Sequence, residues 1–169
     1  MASVIKVNNI QNTESVDAIT VNSTGRVTTP NKIAFLAIGN NGNYVTTSPV
    51  IPSLVKHNYG SGYDSSTGRF TVPSGGAGLY WFHAHFGIVQ TTASGSCYPR
   101  INFYNAAGSA IYLPYTYWNH PASAHYGSCP ITATFDLAVG DYVYLTFAAS
   151  NAQYYEHQSE LSFQGMLIG

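Results

Sequence analysis

The residues best suited to chemistry in this chain are two histidines two positions apart, His83 and His85. In a β-strand, residues at i and i+2 project from the same face, and imidazole is a common metal ligand. The pair could therefore hold a metal ion, and copies of it around a symmetry axis could form a ring of ligands. The alternative is that both rings pack against a neighbouring subunit beside Trp81, because the sequence shows no third ligand near the pair.

Two polar segments, residues 115–126 and 151–158, are rich in aromatic and imidazole side chains. Such rings can stack on sugars while neighbouring polar groups supply directional hydrogen bonds. The candidate ligand-binding residues are Tyr115, Tyr117, Trp118, His120, His125, Tyr126, Tyr154, Tyr155 and His157. The alternative, that these rings form contacts between subunits, stays open on the sequence alone.

Motifs of catalysis are missing from the sequence. It contains no G-x-S-x-G, phosphate-binding loop or H-E-x-x-H pattern. Asp136 and Asp141 stand on either side of a predicted strand turn, which is a structural place for a carboxylate. We therefore predict that the chain is not an enzyme and that it has no catalytic residues.

The composition excludes several partners. Charged residues are only 8% of the chain and the formal net charge is −1, which argues against nucleic-acid binding. No apolar run has the length that a membrane span needs. The 14 tyrosines indicate buried subunit contacts, a recognition surface of the Tyr/Ser/Gly/Asn type, or both.

Cys97 and Cys129 are the only cysteines in the chain. Two thiols in a chain of this length do not make a disulfide framework, and neither belongs to a CxxC pair. They are interpreted as free thiols or as one optional disulfide.

The predicted elements are organised around residues 78–86. Tyr80, Phe82, Ala84 and Phe86 point to one side of this strand, and Leu79, Trp81, His83 and His85 point to the other. A strand with large rings on both sides needs cover on both sides. The partner sheet of a sandwich covers one face, so the other face requires a second subunit.

The rest of the chain predicts short strands separated by Gly, Asn and Pro. Residues 131–139 and 143–147 alternate cleanly around a Gly140-Asp141 turn, and no segment keeps a helical period. This pattern predicts an all-β sandwich or jelly roll over residues 32–169. Residues 1–31 contain no aromatic side chain and are predicted to form a thin, extended β stalk or linker.

At this point the sequence resembles the globular head domain of complement component 1q, within the tumour necrosis factor-like jelly rolls. The resemblance rests on Tyr63-Asp64, Thr67-Gly68-Arg69-Phe70-Thr71-Val72-Pro73, Gly78-Leu79-Tyr80-Trp81-Phe82, Asp136-Leu137-Ala138-Val139-Gly140-Asp141-Tyr142-Val143 and Phe163-Gln164-Gly165-Met166-Leu167. It implies a ten-strand antiparallel jelly roll that assembles as a tight homotrimer, with the last strand beside the Tyr80 strand near the three-fold axis. The candidate interface residues are then Tyr80, Trp81, His83, His85, Phe163 and Met166. Calcium, held by loop carboxylates such as Asp64 or Glu156, is a further implication of the family.

The sequence departs from that family before the domain begins. No Gly-X-Y collagen repeat precedes it, and residues 1–10 lack the apolar block of a secretory signal. Residues 7–31 instead look similar to stalk segments of tail-fibre and virion proteins of tailed phages. We therefore expect a phage fibre or virion surface module that binds a cell-surface glycan or protein. The alternative is a secreted, lectin-like innate immune recognition protein of the complement 1q-domain family.

Overall fold

The structure is a computed structural model of the chain, and it describes residues 7–11, 13–14, 17–29, 32–40, 44–45, 49–90, 94–120, 126–150 and 152–169. The chain divides into two compact units, Met1–Lys32 and Ile33–Gly169. No helix occurs in the described residues, so none there is long and apolar enough to cross a membrane.

The N-terminal unit is a three-stranded antiparallel sheet. Its strands are β1 (Asn9–Gln11), β2 (Asp17–Val21) and β3 (Val27–Thr28). The turn between the last two strands is closed by Asn22, whose Oδ1 accepts hydrogen bonds from the backbone of Thr24 and Arg26. None of the side chains described in residues 7–29 is buried. A sheet this thin has no core of its own in that part of the chain.

The second unit consists of short and long strands in chain order. They are β4 (Ala34–Ile38), β5 (Tyr44–Val45), β6 (Leu54–Tyr59), β7 (Tyr63–Asp64), β8 (Arg69–Thr71), β9 (Gly78–Gln90), β10 (Gly95–Tyr104), β11 (Ala110–Tyr112), β12 (Trp118–His120), β13 (Tyr126–Leu137), β14 (Tyr142–Ser150), β15 (Ala152–Tyr155) and β16 (Leu161–Leu167). Short pieces such as β5, β7 and β12 pair along the edges of the longer strands.

These strands form two antiparallel sheets. The first sheet has the order β5-β15-β9-β16-β4-β6, with β13 paired to β9, and the second has the order β11-β10-β14-β8-β7, with β12 paired to β10. Strand β13 runs along one edge of β9, while β16 and then β15 follow its other edge. The predicted all-β jelly roll is confirmed, and the last long strand lies beside the Tyr80 strand as the resemblance implies.

Aromatic rings fill the space between the two sheets. Phe35 stacks on Tyr63 and Phe70 at 4.8 and 5.0 Å between ring centroids, and Phe82 meets Phe103 edge to face at 5.4 Å. Gly165 makes this packing possible, because a Cβ there would lie 2.6 Å from Phe82 Cδ1 and 2.7 Å from Phe35 Cε1. The packing of these rings therefore requires a residue without a side chain at position 165 of β16.

Asp141 holds the turn between β13 and β14 in the way that its sequence position indicates. Its two carboxylate oxygens accept hydrogen bonds from the backbone N–H groups of Ala106 and Ala138, at 3.0 and 2.9 Å. Gly140 before it has a φ of 86°, which favours glycine. The carboxylate is 8% exposed and is fully engaged in closing two loops.

Candidate binding surfaces

The two faces of β9 differ as the alternation of its side chains predicts. Tyr80, Phe82, Ala84 and Phe86 have no exposed surface, whereas Leu79 is 41% exposed and Trp81, His83 and His85 are half-buried. The first group belongs to the core between the sheets. The second group lies on the outer face of the first sheet, where each side chain stays partly exposed.

Neighbouring strands extend this outer face. Met166 and Gln164 on β16 lie opposite Trp81 and His83, and Thr132 on β13 lies opposite His83 from the other side. Met166 is 38% exposed. We call the surface made by Leu79, Trp81, His83, His85, Gln164 and Met166 the open face.

The two histidines of the open face are held by hydroxyl groups of β13. His83 Nδ1 lies 3.0 Å from Thr132 Oγ1, and His85 Nε2 lies 2.7 Å from Ser128 Oγ. Partial burial, and secondarily the charge of His85, lower the pKa of His83. Each ring therefore has a defined orientation, and the environment of His83 favours the neutral imidazole.

The predicted metal site at His83 and His85 has no third ligand among the described residues, which contain no cluster of three or more His, Cys, Asp or Glu side chains that could hold a metal ion. Metal binding by His83 and His85 stays a prediction, as does calcium binding through Asp64 or Glu156.

Two candidate interface residues have a different place from the one the sequence indicates. Tyr80 and Phe163 are both 0% exposed, and the hydroxyl of Tyr80 donates a hydrogen bond to the carbonyl oxygen of Gly76 at 2.6 Å. Their side chains lie in the protomer's own core and present nothing to another subunit. This corrects their assignment, which followed from strand position and not from the direction of the side chain.

The predicted ligand-binding residues separate into several environments. Tyr115 and Tyr117 pack against Tyr98 on the second sheet, at 6.1 and 5.0 Å between centroids. Tyr154 is fully buried against Phe86 and Phe147, so its assignment to a ligand surface is wrong. The side chain of His120 and the whole of His125 lie outside the described residues.

Three of the predicted aromatics meet at the end of the first sheet. Tyr126 and Tyr155 line a cavity of about 280 Å³ together with Gly87, Ile88, Gly127 and Glu160. Tyr126 is 77% exposed. Trp118 packs against Gly127 of the cavity lining, because a Cβ at Gly127 would be only 2.6 Å from Trp118 Cζ2. We call this cavity the Tyr126 cavity.

The Tyr126 cavity contains a carboxylate, Glu160, that is not among the binding residues predicted from the sequence. The side chain of Glu160 lies against the backbone of Gly87, where any Cβ would collide with it, and the N–H of Gly87 donates to the carbonyl oxygen of Glu160 at 2.6 Å. His157 stacks on Tyr155 at 5.4 Å and 11°. Aromatic walls and one carboxylate suit a neutral, hydroxyl-rich ligand.

The outer face of the second sheet carries another surface that the sequence did not reveal. Arg69, Tyr142 and Tyr144 line a cavity of about 360 Å³ with Pro49 and Thr67. We call this the Arg69 cavity. Strand β14 brings its two tyrosines beside Arg69 of β8 by cross-strand pairing, in the register Tyr144 opposite Arg69.

The fold and these open surfaces define a jelly-roll domain of the complement 1q and tumour necrosis factor type. The C1q domain family model matches residues 34–168, so the chain belongs to the C1q domain family. No curated protein was found to match the chain. Domains of this class form trimers and bind ligands, and they are generally not catalytic.

Solved structures show the same fold at low sequence identity. The globular domain of zebrafish complement 1qA protein is 18% identical at a TM-score of 0.59, over 82% of this chain and 98% of that one. Eiger TNF from S. frugiperda is 14% identical at 0.58, over 82% and 93%. Murine APRIL is 15% identical at 0.59, over 81% and 99%.

Proposed function

We propose that this chain is a non-enzymatic binding module that works as a homotrimer assembled through the open face. The observation that carries the proposal is the outward row of Leu79, Trp81, His83 and His85 on β9, whose side chains stay partly exposed in the protomer. A contiguous surface of this composition is unusual on a free monomer and typical of an interface. Domains of this family form trimers, which supports a three-fold arrangement.

The stacked rings of the open face suit a tightly packed interface. The planes of Trp81 and His83 lie 6° from parallel, with 5.9 Å between centroids. Because hydroxyls on β13 orient both histidines, the surface is ordered before it meets a partner and loses little side-chain entropy on assembly.

Two substitutions, each of which introduces a carboxylate, test this assembly. Trp81→Glu places a carboxylate in the open face, and Ala148→Glu places one at an exposed, outward position of β14 in the second sheet. Light scattering should show a trimer for the unmodified chain and for Ala148→Glu, and smaller species for Trp81→Glu. A Trp81→Glu protein that stays trimeric would contradict assembly through this face.

We further propose that the module binds a surface glycan through the Tyr126 cavity. Tyr126 and Tyr155 offer ring faces for stacking on a sugar, and Glu160 offers an acceptor for sugar hydroxyls. Three such cavities on one rigid trimer would act together, so that weak single contacts give a useful avidity.

A glycan array tests the ligand class, with Tyr126→Ala as the variant. Its matched control is Tyr112→Ala, which removes another exposed tyrosine, on the second sheet at β11. Loss of array binding in the first variant alone supports the Tyr126 cavity. Unchanged binding in Tyr126→Ala would contradict it.

The place of the module on a phage fibre or virion surface is a proposal that rests on the N-terminal segment. Its three-stranded sheet has no buried described side chain, which suits a stalk that is completed by other chains. The alternative of a secreted recognition protein uses the same head domain. Virion genes adjacent to the coding sequence would support the first assignment, and a secretory signal encoded upstream would support the second.

A further inference from the structure

We propose that the Arg69 cavity is a second ligand site, specific for sugars that carry a carboxylate. It lies on the outer face of the second sheet and is separate from the open face and from the Tyr126 cavity. The inference rests on the proposed binding function and adds an acidic ligand class to it. Its support comes from the geometry of one guanidinium and the tyrosines around it.

Arg69 lies over an aromatic ring. Its Cζ lies 3.4 Å from the centroid of Tyr142, which is a close cation–π contact. The same tyrosine ring stacks on Tyr104 of β10 at 5.4 Å and 12°. Tyr142 therefore packs against Tyr104 of β10 and contacts the guanidinium of Arg69 on β8. An arginine fixed in this way loses little freedom when it binds a ligand.

The guanidinium of Arg69 is incompletely satisfied. Its Nε is buried and has no hydrogen-bond partner. An arginine has five N–H donors in a fixed fork, and a buried donor without an acceptor is destabilising until one arrives. A ligand oxygen in the cavity that Arg69 lines would meet further N–H donors of the same fork.

Arg69 is the one charged side chain among the residues that line the cavity. Asp64 lies opposite Arg69 in the pairing of β7 with β8, and its oxygens accept hydrogen bonds from Ser66 at 2.8 and 2.7 Å and from Thr67 at 3.0 Å. That carboxylate is therefore engaged by its own turn and is not part of the cavity lining. The lining itself carries a positive charge, in a chain that has only six basic residues.

The remaining walls of the cavity indicate a sugar. Burial, and then a hydrogen bond with Tyr104, raise the pKa of Tyr144 to about 12, so its hydroxyl stays protonated at neutral pH. Tyr142, Tyr144 and Thr67 present hydroxyl groups and ring surface around a volume of about 360 Å³. A carboxylate accepts two parallel hydrogen bonds from the arginine fork, while ring hydroxyls and ring faces suit the rest of the sugar.

The Tyr126 cavity should select the opposite ligands. It contains the carboxylate of Glu160, which repels an acidic sugar and accepts hydrogen bonds from a neutral one. The two cavities of a protomer should therefore bind sugars of different charge, acidic sugars at the Arg69 cavity and neutral sugars at the Tyr126 cavity. This difference gives the experiment an internal comparison.

The test is a titration of the intact chain with glucuronate and with glucose, followed by NMR or calorimetry. Arg69→Lys keeps the charge and removes the fork, and Tyr144→Phe keeps the ring and removes the hydroxyl. The matched control is Arg26→Lys, the same exchange at an exposed position of the N-terminal unit. Since a charged hydrogen bond contributes about 1.5–3 kcal/mol, we expect Arg69→Lys to weaken glucuronate binding at least about tenfold. Tyr144→Phe should weaken it less, and Arg26→Lys should leave it unchanged.

The outcomes separate this site from the proposed assembly. Preferential binding of glucuronate that Arg69→Lys reduces supports the site, whatever the oligomeric state. No binding of glucuronate, or glucuronate binding that neither cavity variant weakens, would overturn it. Light scattering on the same samples reports assembly independently, so a trimer that ignores glucuronate would reject only the acidic-sugar site.

Discussion

Trp81 and His83 lie on the same outward face of β9 with their rings stacked, 5.9 Å between centroids and 6° between planes. Both side chains stay partly exposed on the surface of the sheet. The protomer supplies no further strand or loop over them in the described part of the chain. This relationship explains why the mid-chain strand is rich in large rings on both sides.

The first prediction concerns the core below that strand. Phe82 has no exposed surface and contacts the rings of Phe35, Phe70, Phe103 and Phe163. Phe82→Ala should lower the free energy of unfolding by about 3–5 kcal/mol, because it leaves a cavity among packed rings. Urea denaturation measures this. A loss below about 1 kcal/mol would place Phe82 outside the core.

The second prediction tests whether the core requires a glycine at position 165 of β16. Gly165→Ala would push a methyl group into Phe82 and Phe35, and overpacking of this kind costs about 1–3 kcal/mol. Gly169→Ala is the matched control, since its added methyl group meets nothing within 4 Å. Equal melting temperatures of the two variants would show that the rings around Gly165 can move aside freely.

The third prediction is a pH dependence of the open face. The lowered pKa of His83 means that the folded protein binds a proton less readily than the unfolded chain. Stability should therefore be fully present above the ordinary histidine pKa of about 6.5 and should fall as the pH drops below it. The groups that face His83 are Trp81, His85, Thr132 and Gln164, and none of them is a carboxylate.

Thermal melts between pH 5 and pH 8 measure this dependence, with His83→Gln as the variant and His157→Gln as the control at an exposed histidine. The acid-dependent loss should shrink in the first variant and persist in the second. A His83→Gln protein that keeps the full loss would show that another group causes it.

The fourth prediction concerns the two cysteines. Cys97 on β10 and Cys129 on β13 are both buried and free, and a hydrogen bond to Cys129, together with burial, raises the pKa of Cys97. A thiol reagent should therefore react with neither in the native protein and with both after denaturation without reductant. Fewer than two thiols in the denatured sample would show that the optional disulfide has formed.

Much of the fold could be predicted from alternation within single strands. Tyr80 to Phe86 and Ile131 to Leu137 repeat at a period of two, so the buried side of each could be read directly. The position of Tyr154 was predicted wrongly because the polar segment 151–158 contains β15, whose pairing with β9 places Tyr154 opposite Ile88 and inside the core. Such a short strand has too few residues for its period to be recognised.

The candidate sites were harder to predict because they depend on pairing between distant strands. Arg69 meets Tyr142 and Tyr144 across 73 or more positions of sequence, and only the order of the second sheet brings them together. Glu160 meets Gly87 because β16, which begins at the next residue, is the neighbour of β9 in the first sheet. A glycine in the middle of a strand rich in large residues was the one local sign that another chain segment lies close there.

The most direct test of the account is the mass of the unmodified chain in solution, measured by sedimentation velocity over a range of concentrations. If the open face is an interface between copies, the protein should sediment as a single species of about three times 18.2 kDa. A species of one chain, with Trp81 accessible to a soluble fluorescence quencher, would contradict the account.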